Sequence, residues 1–465
     1  MTEPTRPAWP IDATEGAETR LMSTTNLFQL GVLEVLERFK AGSCTPGAYL
    51  TELRNRTRVL DPEIRAFTYL AEENEPGAFD GALALSGIPV GIKDVIDTAG
   101  QPTSYGSLAY ENHFPEKDAW VVNRFKEIGA SVFGKTATTE FAWRSPARTV
   151  NPWNYDHTPG GSSSGSAAAV AAGFVPLAVG TQTLGSVIRP AAFCGVVGFK
   201  PSFGSISRAG VYPLAGSLDH VGFFARNVDD ATLALSVTSQ SDPRDPASSP
   251  LASFSLDLAN GLDPLGPPRL LIMHPPFWER VQPTQHRLFE ATANKFGAAG
   301  ATIETREWPE NLEQVWALAH TILSYEAALI HSDLVARAPD RTSDHLKNLV
   351  ATGQRTGERN YASAREQQEQ LRNSFSDVFT GIDVVLGVPA FGEAPSGLSD
   401  TGDAAFCTPW TFLGLPVITL PVGFGPGGLP LGIQLTGANR EDFKLARIAC
   451  WCEQVIGYER SWPSN

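Results

Sequence analysis

The sequence predicts an α/β protein, and three observations carry that expectation. Between about residues 87 and 237, short apolar runs alternate with segments of helical periodicity, the pattern of strands joined by helices. Further apolar runs at Leu270–Met273, Val384–Val388 and Val417–Val422 read as strands returning to the same core. No fixed-period repeat is visible, which sets aside solenoid and propeller folds.

Taken in order, residues 1 to 22 are rich in Pro, Glu and Thr and are expected to form a loose leader. Val32, Val35, Leu36 and Phe39 fall on one face of a helix that stops at Gly42, and Thr45-Pro46 then reads as an N-cap with proline at the first helical position. Gly87–Asp94 is an apolar run ending in a charged pair, a buried strand that would carry Lys93 to its end. Val121, Val122, Phe125 and Ile128 predict the next helix and Ala130–Phe133 the next strand. Residues 238–268, loaded with Ser, Asp and Pro, read as a long surface excursion rather than a linker between domains. Helical periodicity resumes through Val315, Leu318, Ile322 and Leu329, and the polar stretch Tyr361–Phe375 predicts a helix with a solvated face.

Composition narrows the function. The net charge is −14 and no run of Lys or Arg could track phosphates, so nucleic acid is not an expected ligand. The N-terminus has no basic segment followed by an apolar one, so a cytoplasmic location is expected rather than secretion. The longest small-apolar stretch, Ser166–Val179, is interrupted by Gly173 and Pro176 and reads as core, not as a membrane span. Cys44, Cys194, Cys407, Cys450 and Cys452 show no CxxC pairing, so reduced structural thiols are expected. The eight histidines include no HExxH, and neither a metal nor a cofactor is expected. Gly129–Thr136 satisfies the phosphate-loop expression GxxxxGK[ST], but a helix precedes it and Val132-Phe133 read as strand, the wrong context for a phosphate cradle.

Two serine loops carry the candidate chemistry. Gly160–Ser166 reads GGSSSGS and precedes an Ala-rich helix, and Gly180–Pro190 reads GTQTLGSVIRP after a short apolar strand. With the lysine strand SGIPVGIKD, they resemble the amidase signature family, which pairs a Gly-Gly-Ser-Ser loop with a downstream Gly-Ser-(x)-Ile-Arg loop. Further matches are Phe193–Gly195, Gly198–Pro201, Ser217–Gly222, Gly414–Gly423 and Pro430–Gln434, so the resemblance runs from about residue 27 to 455.

The resemblance implies one large α/β/α domain over residues 1–465, with a mixed sheet covered by helices on both faces. It implies an amidase that cleaves a small carboxamide to a carboxylate plus ammonia or an amine, through an acyl-enzyme and without metal or cofactor. Residue by residue it places the nucleophile on Ser186, the serine of a cis peptide on Ser162 and the lysine on Lys93, with the serines 24 positions apart. The chemistry is consistent with this. A serine hydroxyl needs a neighbouring base, a lysine is a base only when neutral, and burial at an apolar strand end favours the neutral amine. Ser162 would relay the proton, and the backbone N–H groups of Thr183, Leu184, Gly185 and Ser186 would face the developing oxyanion. Leu184 departs from the two glycines that many members carry before the nucleophile, which leaves the backbone donor but adds a side chain to the acyl pocket.

Arg189 carries two readings, a support for the nucleophile loop or a substrate-binding anchor. Its place three residues after Ser186 is similar to the malonamidase branch, in which the corresponding arginine holds the free carboxylate of the substrate. Asp219 and His220 are read as structural, and Cys194 as buried packing. The alternative function is an A-type component of the glutamyl-tRNA amidotransferase, supplying ammonia within a complex. Homodimers are common in the family, and a homodimer is the assembly allowed here.

Overall fold

The computed structural model describes residues 26–72, 78–458 and 462–463; the leader expected at residues 1 to 22 lies outside the described residues. One eleven-stranded sheet organises the chain. In chain order the strands are β1 (Phe67–Leu70), β2 (Pro89–Lys93), β3 (Ser131–Thr136), β4 (Leu177–Gln182), β5 (Val197–Lys200), β6 (His220–Ala225), β7 (Arg269–Met273), β8 (Thr302–Arg306), β9 (Val384–Gly387), β10 (Val417–Phe424) and β11 (Pro430–Gly437). They lie in the order β1-β3-β2-β4-β6-β5-β10-β11-β9-β7-β8. The sheet is mixed: β2 runs parallel to β3 and β4, whereas β6 is antiparallel to β4 and β5. Every residue of β2, β4 and β6 is buried, which is why these strands read as continuous apolar runs rather than as alternating ones.

The helices are α1 (Val32–Lys40), α2 (Pro46–Ile64), α3 (Trp120–Glu127), α4 (Ser164–Ala171), α5 (Ile188–Cys194), α6 (Val228–Thr238), α7 (Pro283–Ala298), α8 (Val315–Arg337), α9 (Asp344–Thr356), α10 (Glu358–Phe375), α11 (Thr408–Phe412) and α12 (Asp442–Ile456). The expected hairpin is present, with Thr45 Oγ1 accepting from the Ala48 amide at 3.2 Å as the cap of α2. Helices cover both faces of the sheet. A Cβ at Gly432 would meet Ala192 of α5, and one at Gly437, an odd number of residues further along β11, would meet Leu445 of α12; alternate residues of a strand face opposite sides. α4 and α5 are buried along their whole length, and such helices can be apolar all round, as Ala167–Ala171 is. α9, α10 and α11 each pack on α8.

Residues 239–268 contain no helix or strand, as expected of an excursion, but the segment is fastened down. Asp242 accepts from Ser207 Oγ at 2.6 Å, Asp245 pairs with Arg208 at 2.9 Å, and Leu251, Leu256 and Leu262 are buried. The strand expected at Ala130–Phe133 continues through Gly134, Lys135 and Thr136, so the phosphate-loop-like segment is itself sheet. Lys135 is buried, with Nζ bonded to the Ile96 carbonyl, Thr98 Oγ1 (3.0 Å) and Thr103 Oγ1 (2.9 Å). Among the described residues no helix is long and apolar enough to cross a membrane, and no group of three or more His, Cys, Asp or Glu is placed to hold a metal ion.

Gly165, the second residue of α4, seats that helix on the sheet: an added Cβ would overlap the Ala66 carbonyl oxygen and the Ala137 amide nitrogen, both backbone. Alanine ordinarily favours a helix over glycine by about 1 kcal/mol, but overpacking against backbone reverses the sign here. Gly165→Ala is expected to lower unfolding stability by about 3 kcal/mol in denaturant titrations. Gly47→Ala in α2, where nothing lies within 4 Å of the added Cβ, is the matched control and is expected to be neutral or stabilising.

Candidate active site

Lys93 ends β2, the strand held between β3 and β4, and its side chain is fully buried. Its Nζ lies 2.7 Å from Ser162 Oγ and 2.8 Å from Thr181 Oγ1 on the adjacent β4, with the Thr181 carbonyl at 3.4 Å. Among the described residues no carboxylate bonds to it. Burial drives its pKa well below the ordinary lysine value, and the Asp219 carboxylate opposes that shift without reversing it.

The serine run around Ser162 divides by task. Ser163 Oγ donates to the Thr181 carbonyl at 3.2 Å, Ser164 Oγ to the Gly160 carbonyl at 2.7 Å, and Ser166 Oγ to the Val179 carbonyl at 2.9 Å. These three fasten the loop and α4 to themselves and to β4. Ser162 is the serine of the run that meets Lys93, and the Gly161–Ser162 peptide is cis. Gly160, at φ +82°, brings the loop onto α5, since a Cβ there would stand 2.8 Å from Pro190 Cα.

The turn bearing Ser186 links β4 to α5 and is pinned from three directions. Gln182 Oε1 accepts from the amides of Val187 (2.8 Å) and Ile188 (3.0 Å), while its Nε2 donates to Thr411 Oγ1 at 2.9 Å. Thr411 Oγ1 in turn donates to the Leu184 carbonyl at 2.7 Å. Thr183 Oγ1 donates to Asp219 at 2.6 Å, and the other Asp219 oxygen accepts from the Leu214 and Ala215 amides at 2.9 and 3.0 Å. Arg189, buried, donates from Nε to the Thr401 carbonyl at 2.8 Å and from Nη2 to the Gly161 carbonyl at 2.7 Å. It therefore ties the Ser186 turn to the peptide that precedes Ser162.

Both serines open onto one cavity of about 370 Å³, with Thr183, Leu184, Gly185 and Arg189 on its wall. Trp143, Arg144, Trp316 and His320 form the opposite side, and the 399–405 segment closes a third. Ser162 and Ser186 share this space without a hydrogen bond between their hydroxyls. The adjacent Asp219 and His220 are not a dyad: Asp219 is spent on Thr183 and the two amides, and His220 Nδ1 donates to the Leu218 carbonyl at 2.6 Å. Burial, with Lys200 nearby, drives the His220 pKa far down. Cys194 donates its thiol to the Pro159 carbonyl at 3.4 Å inside the packed interior. All five cysteines are buried and unbridged.

Sequence reasoning missed Thr181, Gln182, Thr411 and the α8 and α9 wall. Thr181 and Gln182 belong to the same motif as Ser186, where a buried polar pair between a strand and a turn is a legible sign. Thr411 lies 227 residues from the Leu184 that it holds, and only the fold brings them together.

An α/β enzyme with a buried lysine and two loop serines on one cavity is the class that fold and site define. Residues 52–446 match the family described as Amidase, and the chain belongs to that family, whose members act on amide carbon–nitrogen bonds. The chain is 31% identical to the A component of the glutamyl-tRNA(Gln) amidotransferase of Lysinibacillus sphaericus (strain C3-41), over 94% of this chain and 98% of the relative. It is 33% identical to the protein of the same description from Thermus thermophilus, over 91% and 96%. The native peptide amidase from Stenotrophomonas maltophilia superposes with a TM-score of 0.81 at 28% identity, covering 95% of this chain and 98% of that one.

Proposed function

We propose that the chain hydrolyses a carboxamide by acyl transfer through Ser186, with Ser162 as proton relay and Lys93 as base. The observation that carries this reading is the 2.7 Å contact between Ser162 and a lysine whose charged form burial disfavours. A neutral amine has two N–H groups and one lone pair. The Thr181 carbonyl can only accept, and Thr181 Oγ1 can take the second N–H, which leaves the lone pair for the rotatable Ser162 hydroxyl. Rotation of the Ser186 hydroxyl toward Ser162 completes the path. As Ser186 Oγ bonds to the acyl carbon, its proton passes to Ser162 and that of Ser162 to Lys93; the lysine proton then goes to the leaving nitrogen as the C–N bond breaks. Water releases the acyl group by the same route in reverse. The turn from Thr183 to Ser186, fixed by Gln182, Thr411 and Asp219, holds its amides toward the developing oxyanion, the arrangement such reactions depend on most.

A second reading has the chain act within an amidotransferase complex, favoured by identities of 30–33% to relatives of that description over about nine-tenths of the chain. Ammonia release from simple amides by the purified chain alone supports the hydrolase; release only with added partner proteins supports the amidotransferase.

For Arg189 the contacts favour support over substrate binding. A two-point grip on a carboxylate uses two parallel N–H groups, whereas Nε and Nη2 already hold Thr401 and Gly161. The malonamidase-like assignment of this residue would require those bonds to break. Arg189→Leu is therefore expected to reduce kcat/KM in equal proportion for carboxylate-bearing and neutral short amides; a loss confined to the charged substrates would restore the anchor role.

Ser186→Ala is expected to keep the wild-type circular dichroism while taking up no fluorophosphonate, read by intact mass. An adduct on the variant would move the nucleophile elsewhere.

Lys93→Ala is expected to lower kcat/KM by about 10²- to 10⁴-fold. Because burial lowers the folded pKa, the lysine loses its proton well below the pH at which a solvated lysine does. Activity should fall only as pH drops through that lowered value, so the acid limb lies below the ordinary lysine range. An acid limb near the ordinary lysine range would contradict the assignment.

A further inference from the structure

Beside the cavity that holds Ser186 lies a second, of about 260 Å³. Trp143, Arg144, His320 and His345 line it, and α9 closes it with Asn348 and Leu349. All four also line the serine cavity, so the two spaces adjoin along a shared wall.

The charges along these two spaces are unevenly placed. Asp400 and Asp403 face the serine cavity, where Asp403 already pairs with Arg280 at 3.4 Å. No carboxylate lines the side chamber. Asp344, at the start of α9, points outward with its side chain 91% exposed and pairs with Lys347 at 3.2 Å. Glu140, close in sequence to Arg144, is buried and spent on Ser107 Oγ (2.8 Å) and the Ser343 amide (3.0 Å). Arg144 has no ion pair or hydrogen bond among the described residues. Its guanidinium carbon sits 5.1 Å from the centroid of the Trp143 ring, and Trp143 is itself held by its Nε1 donating to the His345 carbonyl at 3.3 Å. An uncommitted guanidinium steadied on a fixed indole, next to apolar surface from Leu349, is the arrangement that receives a carboxylate at the end of an apolar spacer.

We infer that the side chamber is a subsite for an anionic group, and that the enzyme prefers amides carrying a carboxylate at the end remote from the scissile bond, with Arg144 as its specificity-determining residue. This rests on the hydrolase reading above. Arg189, which the malonamidase-like motif offers for a carboxylate, is committed to backbone carbonyls, and Arg144 is the cation on the shared wall that is not. Asn348 and Leu349 line the side chamber and not the serine cavity, so a carboxylate seated against them calls for a spacer longer than that of a malonamate.

The test is ammonia release from the monoamides of straight-chain dicarboxylic acids, from malonamate to suberamate, each against the neutral alkanamide of equal length. The wild-type enzyme should show little discrimination for the shortest pair and favour the charged member by about tenfold in kcat/KM for longer ones, the effect of one charge-assisted pair. Arg144→Asn removes the charge and suits the residue's φ of +34°. It should abolish the preference by raising KM for the charged members, and Arg144→Lys should restore part of it. Equal rates for charged and neutral members at every length, or a preference that survives Arg144→Asn, would overturn the inference. Fluorophosphonate labelling of Ser186 separates the two levels: labelling with no charge preference defeats the subsite alone, and absence of both labelling and turnover defeats the hydrolase reading.

Discussion

A lysine without a counter-ion, buried at the end of a central strand, is the constraint around which the rest of the structure is arranged. Removing an ammonium from water costs several kcal/mol unless the charge is paired or given up. At Lys93 no carboxylate among the described residues bonds to Nζ, so burial favours the neutral form, and its neighbours are hydroxyls and a carbonyl that suit a neutral amine. β3 and β4 must flank β2 to bury it, α4 must start at Ser164 to set Ser162 against it, and Gly165 must be glycine for α4 to approach.

Two other lysines are buried as deeply and show what the difference consists of. Lys135 and Lys200 point at backbone carbonyls, Ile96 for the first, Pro201 and Leu415 for the second, and Lys135 also meets the hydroxyls of Thr98 and Thr103. Burial lowers them to about 8 and about 7, against the pull of Asp94 and Asp442 respectively. Carbonyls accept and never donate, and neither lysine, nor either of those threonines, lines the serine cavity. For Lys200 the unfolded chain holds the proton more tightly than the folded one, so stability rises with pH between about 7 and the ordinary lysine value of 10.5. All three lysines thus weaken the fold as pH falls, but only Lys93 meets a hydroxyl that opens onto the cavity.

Much of this was legible in the sequence because the elements that build the site are local. The strand ending in Lys93, the loop before α4 and the turn after β4 each show their residue types in order, and the hairpin of α1 and α2 announces itself by period and cap. What stayed hidden was non-local or weakly patterned. β8 is largely exposed at the sheet edge and lacks an apolar run, and α9 carries its apolar residues sparsely among charges. Leu329 fits the helical period of α8 yet is 71% exposed, so a pattern can be correct for the helix and wrong for the face. Within GKT, the lysine that mimics a phosphate-binding residue is buried in strand, which spacing alone does not reveal.

The same division bears on specificity. The residues proposed for acyl transfer come from β2, the loop before α4 and the turn between β4 and α5, which hold one another through backbone and side-chain hydrogen bonds. The far wall of the cavity comes from Trp143 and Arg144, α8, α9 and the 399–405 segment. Trp316 Nε1 holds the Ala405 carbonyl at 2.9 Å within that wall, and Arg189 ties the 399–405 segment to the Ser186 turn through Thr401. On the proposed reading the sheet and its loops set the reaction type, and substrate choice falls to far-wall residues such as Arg144 and His320, which bond to none of Lys93, Ser162 and Ser186.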